Sequence, residues 1–220
     1  MKSSWEQTQA RSQYHFDNDL VDPRWDTAIP VKKFEITWAE ELQAIIDASH
    51  PVTWRTRGNS TDPLKRAAEE HDQEEYDLDR IGMARDAVVT NLNYNLTPEL
   101  QRIADSFELD KTMARVHVQW PGQVWNLHLD KLEKWMPEDP SRVQRYMIQL
   151  TDWQQGHFWS FGNFTWQNWH AGDCVTFDWI NVPHATANAG HSPRATLQIT
   201  GIRTPATDLF LNNLKEIKWP

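Results

Sequence analysis

The segment WNLHLDKLEKW, residues 125–135, places His128 and Asp130 on either side of a single leucine. On a strand, residues i and i+2 point to the same face, so this imidazole and this carboxylate can share one small ligand. A third metal-competent side chain, His184, follows 54 residues after Asp130 in GDCVTFDWINVPHATANAGHSPRATLQITG (172–201). Two histidines and one carboxylate on one face of an octahedral ion leave three adjacent positions open, a donor set suited to non-haem Fe(II) and oxygen chemistry. Zinc accepts the same three donors, and an isolated H-x-D also occurs as the polar side of a half-exposed strand. The discriminating feature is Arg194, ten residues beyond His184, with the hydroxyl of Thr196 two further on and on the same strand face. A guanidinium fork next to a hydroxyl suits a carboxylate, and zinc hydrolysis gives such a fork no role.

These residues have to be positioned by the elements around them. From about residue 112 the chain breaks into short β-rich runs, ARVHVQW, VWNLHLD, QRYMIQLTDW, GHFWSFG, DCVTFDW and RATLQITGIR, separated by Pro, Gly, Asn and Asp. That spacing predicts a sandwich, jelly roll or barrel. Before it, TWAEELQAIIDASH (37–50) carries a helical stripe at Trp38, Leu42, Ile45 and Ile46, with Thr37 as N-cap and Glu40 three residues on. LTPELQRIADSF (96–107) starts a second helix with Thr97 as cap and Pro98 at its first position. Residues 1 to about 30 read as an irregular lead-in, and 59–80 as an acidic solvated helix face or loop. Helices first and strands later make the class α+β, with helices packed outside a β core. No internal repeat is evident, and a single domain over 1–220 is the economical reading: a helical or irregular part to 111, a core over 112–203 and a tail over 204–220.

The run from about 112 to 203 resembles the double-stranded β-helix (jelly-roll, cupin-like) core of the Fe(II)/2-oxoglutarate-dependent oxygenases, the superfamily that includes prolyl hydroxylases. In general texture the chain is also similar to small oxygenase-like proteins of marine cyanophages. The resemblance rests on His128, Asp130, His184 and Arg194, with Arg194-Ala195-Thr196 standing where the family has Arg-x-Ser. It covers about 40% of the chain and leaves residues 1–110 unassigned. It implies His128, Asp130 and His184 as ligands of Fe(II), and Arg194 and Thr196 as partners of the far carboxylate of 2-oxoglutarate. Gln149, on the strand after the H-x-D loop, is a further candidate for that cosubstrate. The implied activity is a dioxygenase, specifically a hydroxylase, because halogenating relatives vacate the position that Asp130 fills. O2 and an unknown substrate, a small molecule or a protein side chain, complete the reaction.

Composition narrows the partners. A formal charge of −9 and a pI near 5.4, with no Lys/Arg run, argue against a nucleic-acid partner. Cys174 is the single cysteine, which excludes an internal disulfide and suits the reducing cytoplasm. The N-terminus has no apolar run of the secretory kind, and no stretch approaches a membrane span. Gln119 and Asn126 are candidates for contacts near the triad. His117, His170 and His191 read as structural or surface residues, with His157 alone near the mouth, and Asp173 as a turn former. Eight of the thirteen tryptophans fall between Trp120 and Trp179, the commoner use of which is packing. A reactive centre must be closed from water, and part of 55–96 is the available cover, with Arg80, Arg85, Asn91 and Asn93 as substrate contacts. Two rivals remain: a non-catalytic cupin-like binding module, which keeps the fold but need not keep the triad with Arg194, and a zinc hydrolase using His128, Asp130 and His184.

Overall fold

The computed structural model describes residues 29–53, 87–162 and 164–213. Eleven strands are present among them. Seven form a large antiparallel sheet: β1 (Ile29–Lys33), β2 (His50–Thr53), β3 (Val88–Asn93), β4 (Asp110–Gln119), β6 (Val143–Gln149), β9 (Asp173–Thr176) and β11 (Arg194–Ile202), in the order β1-β9-β6-β11-β4-β3-β2. The other four form a small sheet, β5 (Val124–His128), β10 (His184–Asn188), β7 (His157–Phe161) and β8 (Phe164–Trp166), in that spatial order. The two sheets face each other across a core rich in aromatic side chains, including Trp159, Phe161, Trp166, Trp169, Phe177 and Trp179. Helices cover the opposite face of the large sheet: α1 (Leu42–Asp47), α2 (Pro98–Asp105) and α3 (Pro205–Asn212). The architecture is α+β with a jelly-roll, cupin-like β core: strand spacing alone left a sandwich, jelly roll or barrel open, and the cupin-like form is the one that the family resemblance implies.

Strand β11 shows why the layers separate as they do. All nine of its residues are buried. Ala195, Leu197 and Ile199 enter the core beneath the helices, while Arg194, Thr196, Gln198 and Thr200 face the small sheet. Its neighbours alternate in the same phase. Val116 and Val118 of β4 and Tyr146 and Ile148 of β6 lie on the helix side, and Arg115, His117, Gln119, Arg145, Met147 and Gln149 lie between the sheets. In RYMIQL, Arg145, Met147 and Gln149 thus share the inner face, and Tyr146 and Ile148 the helix side.

The helices match the sequence in part. Thr97 caps α2, its hydroxyl accepting from the Leu100 N–H at 3.5 Å, and Pro98 opens the helix. The first helix is shorter than the stripe over 37–50 suggests. Its N-cap is Glu41, with no side-chain bond, because Trp38 is spent elsewhere: its indole N–H donates to the Leu150 carbonyl at 3.1 Å and the ring is fully buried. At the other end Pro51 disfavours a helical residue 50, and β2 begins there. The part read as helical or irregular also supplies β1, β2 and β3 to the large sheet, whose strands are too short and mixed in pattern to stand out alone. Residues 205–212, read as tail, form α3 behind a Thr204–Thr207 capping box. The acidic stretch 59–80, and Arg80 and Arg85, lie outside the described residues. No helix among the described residues is long and apolar enough to cross a membrane.

Two glycines with positive φ separate backbone strain from crowding. Gly172 (φ +92) holds β1 to the body, its carbonyl accepting from the Phe34 N–H at 2.8 Å, and a Cβ there would run into the Phe34 carbonyl oxygen. Gly122 (φ +88) opens onto empty space. Gly122→Ala should cost about 1 kcal/mol, roughly 3 °C in Tm, from its backbone angle alone. Gly172→Ala should lower Tm at least twice as far, and equal shifts in thermal melts would show that the Phe34 contact gives way.

Candidate metal and anion site

His128, Asp130 and His184 converge. Each offers a ligand atom, and these atoms all lie within 4.8 Å of one another. Register explains the histidines: His184 on β10 pairs directly with His128 at the end of β5, and their ring centroids are 4.2 Å apart. Asp130 arrives differently from the expectation. Strand β5 stops at His128, Leu129 turns into the core, and Asp130 reaches the site from the start of the connection to β6. Its Oδ1 stands 3.8 Å from His128 Nε2 and its Oδ2 3.7 Å from His184 Nε2.

The tautomers suit ligation. His128 Nδ1 lies 2.7 Å from the Asn126 carbonyl and His184 Nδ1 3.4 Å from that of Val182. A carbonyl oxygen only accepts, so each Nδ1 carries the proton and each Nε2 presents a lone pair inward. Burial lowers the pKa of His184, partly opposed by Asp130, which keeps the ring neutral near pH 7. Asp130 is ionised. Burial alone would raise its pKa, but Arg145, with His184 and His128, holds it well below the usual carboxylate range. Arg145 is the residue that the sequence reading missed: one of its N–H groups bonds Asp130 Oδ2 directly, and its Nε donates to Thr200 Oγ1 at 3.1 Å. It shares the inner face of β6 with Met147 and Gln149, and nothing in the sequence names its partner.

Arg194, at the start of β11, faces the same inter-sheet space. Its Nη2 donates to Gln119 Oε1 at 2.8 Å, its Nη1 to the Phe158 carbonyl at 3.3 Å, and its guanidinium lies 4.6 Å from the centre of the Trp159 ring. These partners are neutral, and among the described residues no carboxylate pairs with it. Burial without a counter-ion pushes its pKa down to about 9. Thr196 donates its hydroxyl to Gln149 Oε1 at 3.0 Å, which ties two of the candidate residues together. Three donors here are buried and lack an acceptor: Arg194 Nε, Gln149 Nε2 and Trp159 Nε1. Buried donors are ordinarily satisfied, so each of these can take an acceptor that the chain itself does not supply.

The remaining candidates sort clearly. Gln119 orients Arg194 and bonds the Val89 and Thr186 carbonyls, while Asn126 contributes its backbone carbonyl to His128. His157 is structural: its ring stacks on Trp169 and contacts the Ser192 carbonyl and the Gln154 N–H. His117, itself half-buried, joins the buried Arg115 and Gln198 in a polar row, and Trp125 lies between the His117 and His128 rings, 5.6 and 5.7 Å from them. Asp173 caps a turn, accepting from the His170 N–H at 2.8 Å. Asn91 and Asn93 lie on β3. They pair with Val118 and Val116 on the helix side of the large sheet, where Asn93 donates to the Ile45 carbonyl at 3.2 Å and Asn91 accepts from Gln123 at 3.0 Å. The part of the expected cover that is described, β3, is thus a sheet strand.

No family model matches the chain, and no curated protein matches it. Solved structures with a similar fold include a viral collagen prolyl hydroxylase from Paramecium Bursaria Chlorella virus-1 in complex with 2-oxoglutarate. It is 15% identical, covers 62% of this chain and 92% of its own, and has a TM-score of 0.40. A predicted oxalate decarboxylase from Thermotoga maritima is 14% identical over 52% of this chain and 81% of its own, TM-score 0.35. A Cupin 2 conserved barrel domain protein from Salinispora arenicola is 13% identical over 56% and 83%, TM-score 0.33. These are likenesses of fold.

His117 gives a measurable pH signature in the metal-free protein. Burial first, then Arg115, lowers its pKa well below the ordinary value, against a smaller opposing effect of Gln198. A depressed folded-state pKa contributes stability above the unfolded value near 6.5 that is lost as pH falls below it. His117→Gln removes that contribution. Urea unfolding at pH 7.5 and 5.5 should show a smaller loss of stability for the variant than for the wild type, and equal losses would mean that His117 is not held neutral.

Proposed function

We propose that the protein is an Fe(II)- and 2-oxoglutarate-dependent dioxygenase, a hydroxylase acting on a small molecule or a protein side chain with O2 as co-reactant. The observation that carries this reading is Arg194: a buried guanidinium with neutral partners, on the face of β11 turned toward the small sheet that carries His128 and His184. A metal centre alone gives no reason to keep an uncompensated cation buried beside it; a dicarboxylate cosubstrate does.

The residues fit both groups. His128 Nε2, His184 Nε2 and an oxygen of Asp130 would hold the iron. Arg194, Thr196 and Gln149 would hold the far carboxylate, with the unsatisfied Arg194 Nε and Gln149 Nε2 as available donors. Arg194 lies over the Trp159 ring, and Trp159 is two residues from Phe161, the register partner of His184. When bound, iron and 2-oxoglutarate supply oxidative decarboxylation to succinate and CO2 coupled to oxidation of a substrate C–H bond. The chain's own contribution is position and shelter. Gln119 and the Phe158 carbonyl aim the guanidinium, the Asn126 and Val182 carbonyls orient the imidazoles, and Trp125, Phe161 and Phe177 wall the histidines from solvent.

Succinate release on adding Fe(II) and 2-oxoglutarate, screened against pooled candidate substrates, tests the activity. For the assignment of Arg194, calorimetry with Mn(II) and 2-oxoglutarate is decisive. Arg194→Met should weaken 2-oxoglutarate by more than about 100-fold, as expected when one side of a buried charge pair is lost at roughly 3–5 kcal/mol, and should leave Mn(II) affinity within a few-fold. Unchanged 2-oxoglutarate affinity would reject it, and metal binding without any response to 2-oxoglutarate would return the site to a zinc hydrolase.

A further inference from the structure

Asp130 has two oxygens placed almost alike, Oδ1 3.8 Å from one histidine Nε2 and Oδ2 3.7 Å from the other. Nothing in those distances chooses between binding a metal through one oxygen and binding it through both. Arg145 makes the choice. It is buried, its Nη1 bonds Oδ2, and its Nε is anchored on Thr200 Oγ1 of the adjacent β11, in register with it. The guanidinium is therefore held by the sheet, and does not merely follow the carboxylate. A dication on Oδ2 would sit within a few ångströms of this fixed positive charge, in an interior that screens poorly; on Oδ1 it is farther away.

We infer that Arg145 is a positioning residue that confines Asp130 to a single donor oxygen, Oδ1, and so keeps one more coordination position of the metal open. The inference rests on the metal-centre reading above. Its consequence is arithmetic. Two histidines and one carboxylate oxygen leave three positions of an octahedral ion, whereas a carboxylate bound through both oxygens leaves two. A chelating cosubstrate consumes two, so the open third position depends on Arg145.

The test is the water-proton relaxivity of the full-length chain loaded with Mn(II), which reports the number of exchangeable waters on the ion. Arg145→Met should lower the relaxivity of the bound complex by about one third, from three waters to two. Arg145→Lys, which keeps a cation on Oδ2, should match the wild type. A merely structural role would weaken Mn(II) binding without changing the relaxivity of what binds, so wild-type relaxivity in Arg145→Met overturns the inference. Should that variant not fold, Arg145→Gln retains a donor but not the charge and should show the same one-third drop; wild-type relaxivity there overturns it equally. A wild-type chain that binds no Mn(II) fails at the metal centre itself and removes the proposed function along with the inference.

Discussion

The inner face of β11 is polar at four successive inward positions, Arg194, Thr196, Gln198 and Thr200, and all four are buried. Burying such a row is expensive unless every group finds a partner, so its neighbours are constrained in turn. Gln119 must come from β4 to meet Arg194, Gln149 from β6 to meet Thr196, Arg115 to meet Gln198, and Arg145 to meet Thr200. The central three strands of the large sheet thus form one hydrogen-bonded polar floor. The small sheet closes over it with aromatic rings and with the two histidines.

The opposite face of the same strands bears the cost. Leu197, Ile199, Val116, Val118, Tyr146 and Ile148 pack under the three helices in a second apolar core, where Phe107 packs against Tyr146 with tilted rings, centroids 4.5 Å apart. Hydrophobic burial on that side supplies stability that the polar floor does not. A sheet with one functional face needs such a partner layer, and this is the reason the helices precede and follow the β core in sequence yet lie together on one side of it.

How much of this was legible follows the same division. Strands of the β core announce themselves by alternation, and His128, Asp130 and His184 stand out by residue type and spacing, whereas the roles expected of Arg194, Thr196 and Gln149 come from the family resemblance. Local chemistry also gave α2, because Thr97 and Pro98 act within one turn. What the sequence could not display are the pairings set by register. The short strands β1, β2 and β3 are specified by the edges they join, and the early end of α1 by the long-range bond from Trp38 to Leu150. Asp130 meets the histidines because the chain leaves the sheet after His128, where an unbroken strand had been expected. Arg145 looked like one of several inward residues until the fold set it against a carboxylate 15 residues earlier.

The two arginines show how one interior gives the same side chain different tasks. Arg145 is matched by a carboxylate, which lowers the pKa of Asp130 and neutralises both charges. Arg194 meets an amide oxygen, a backbone carbonyl and an aromatic face, each of which stabilises a cation without cancelling it. Were a carboxylate to replace Gln119, the second site would become a copy of the first and its attraction for an anion would fall. Under the proposed function, neutral partners keep the charge of Arg194 available to an anion, while burial without a counter-ion lowers its pKa. A protein selecting only for stability would have paired or removed that cation, since well-packed apolar residues serve a core at least as well.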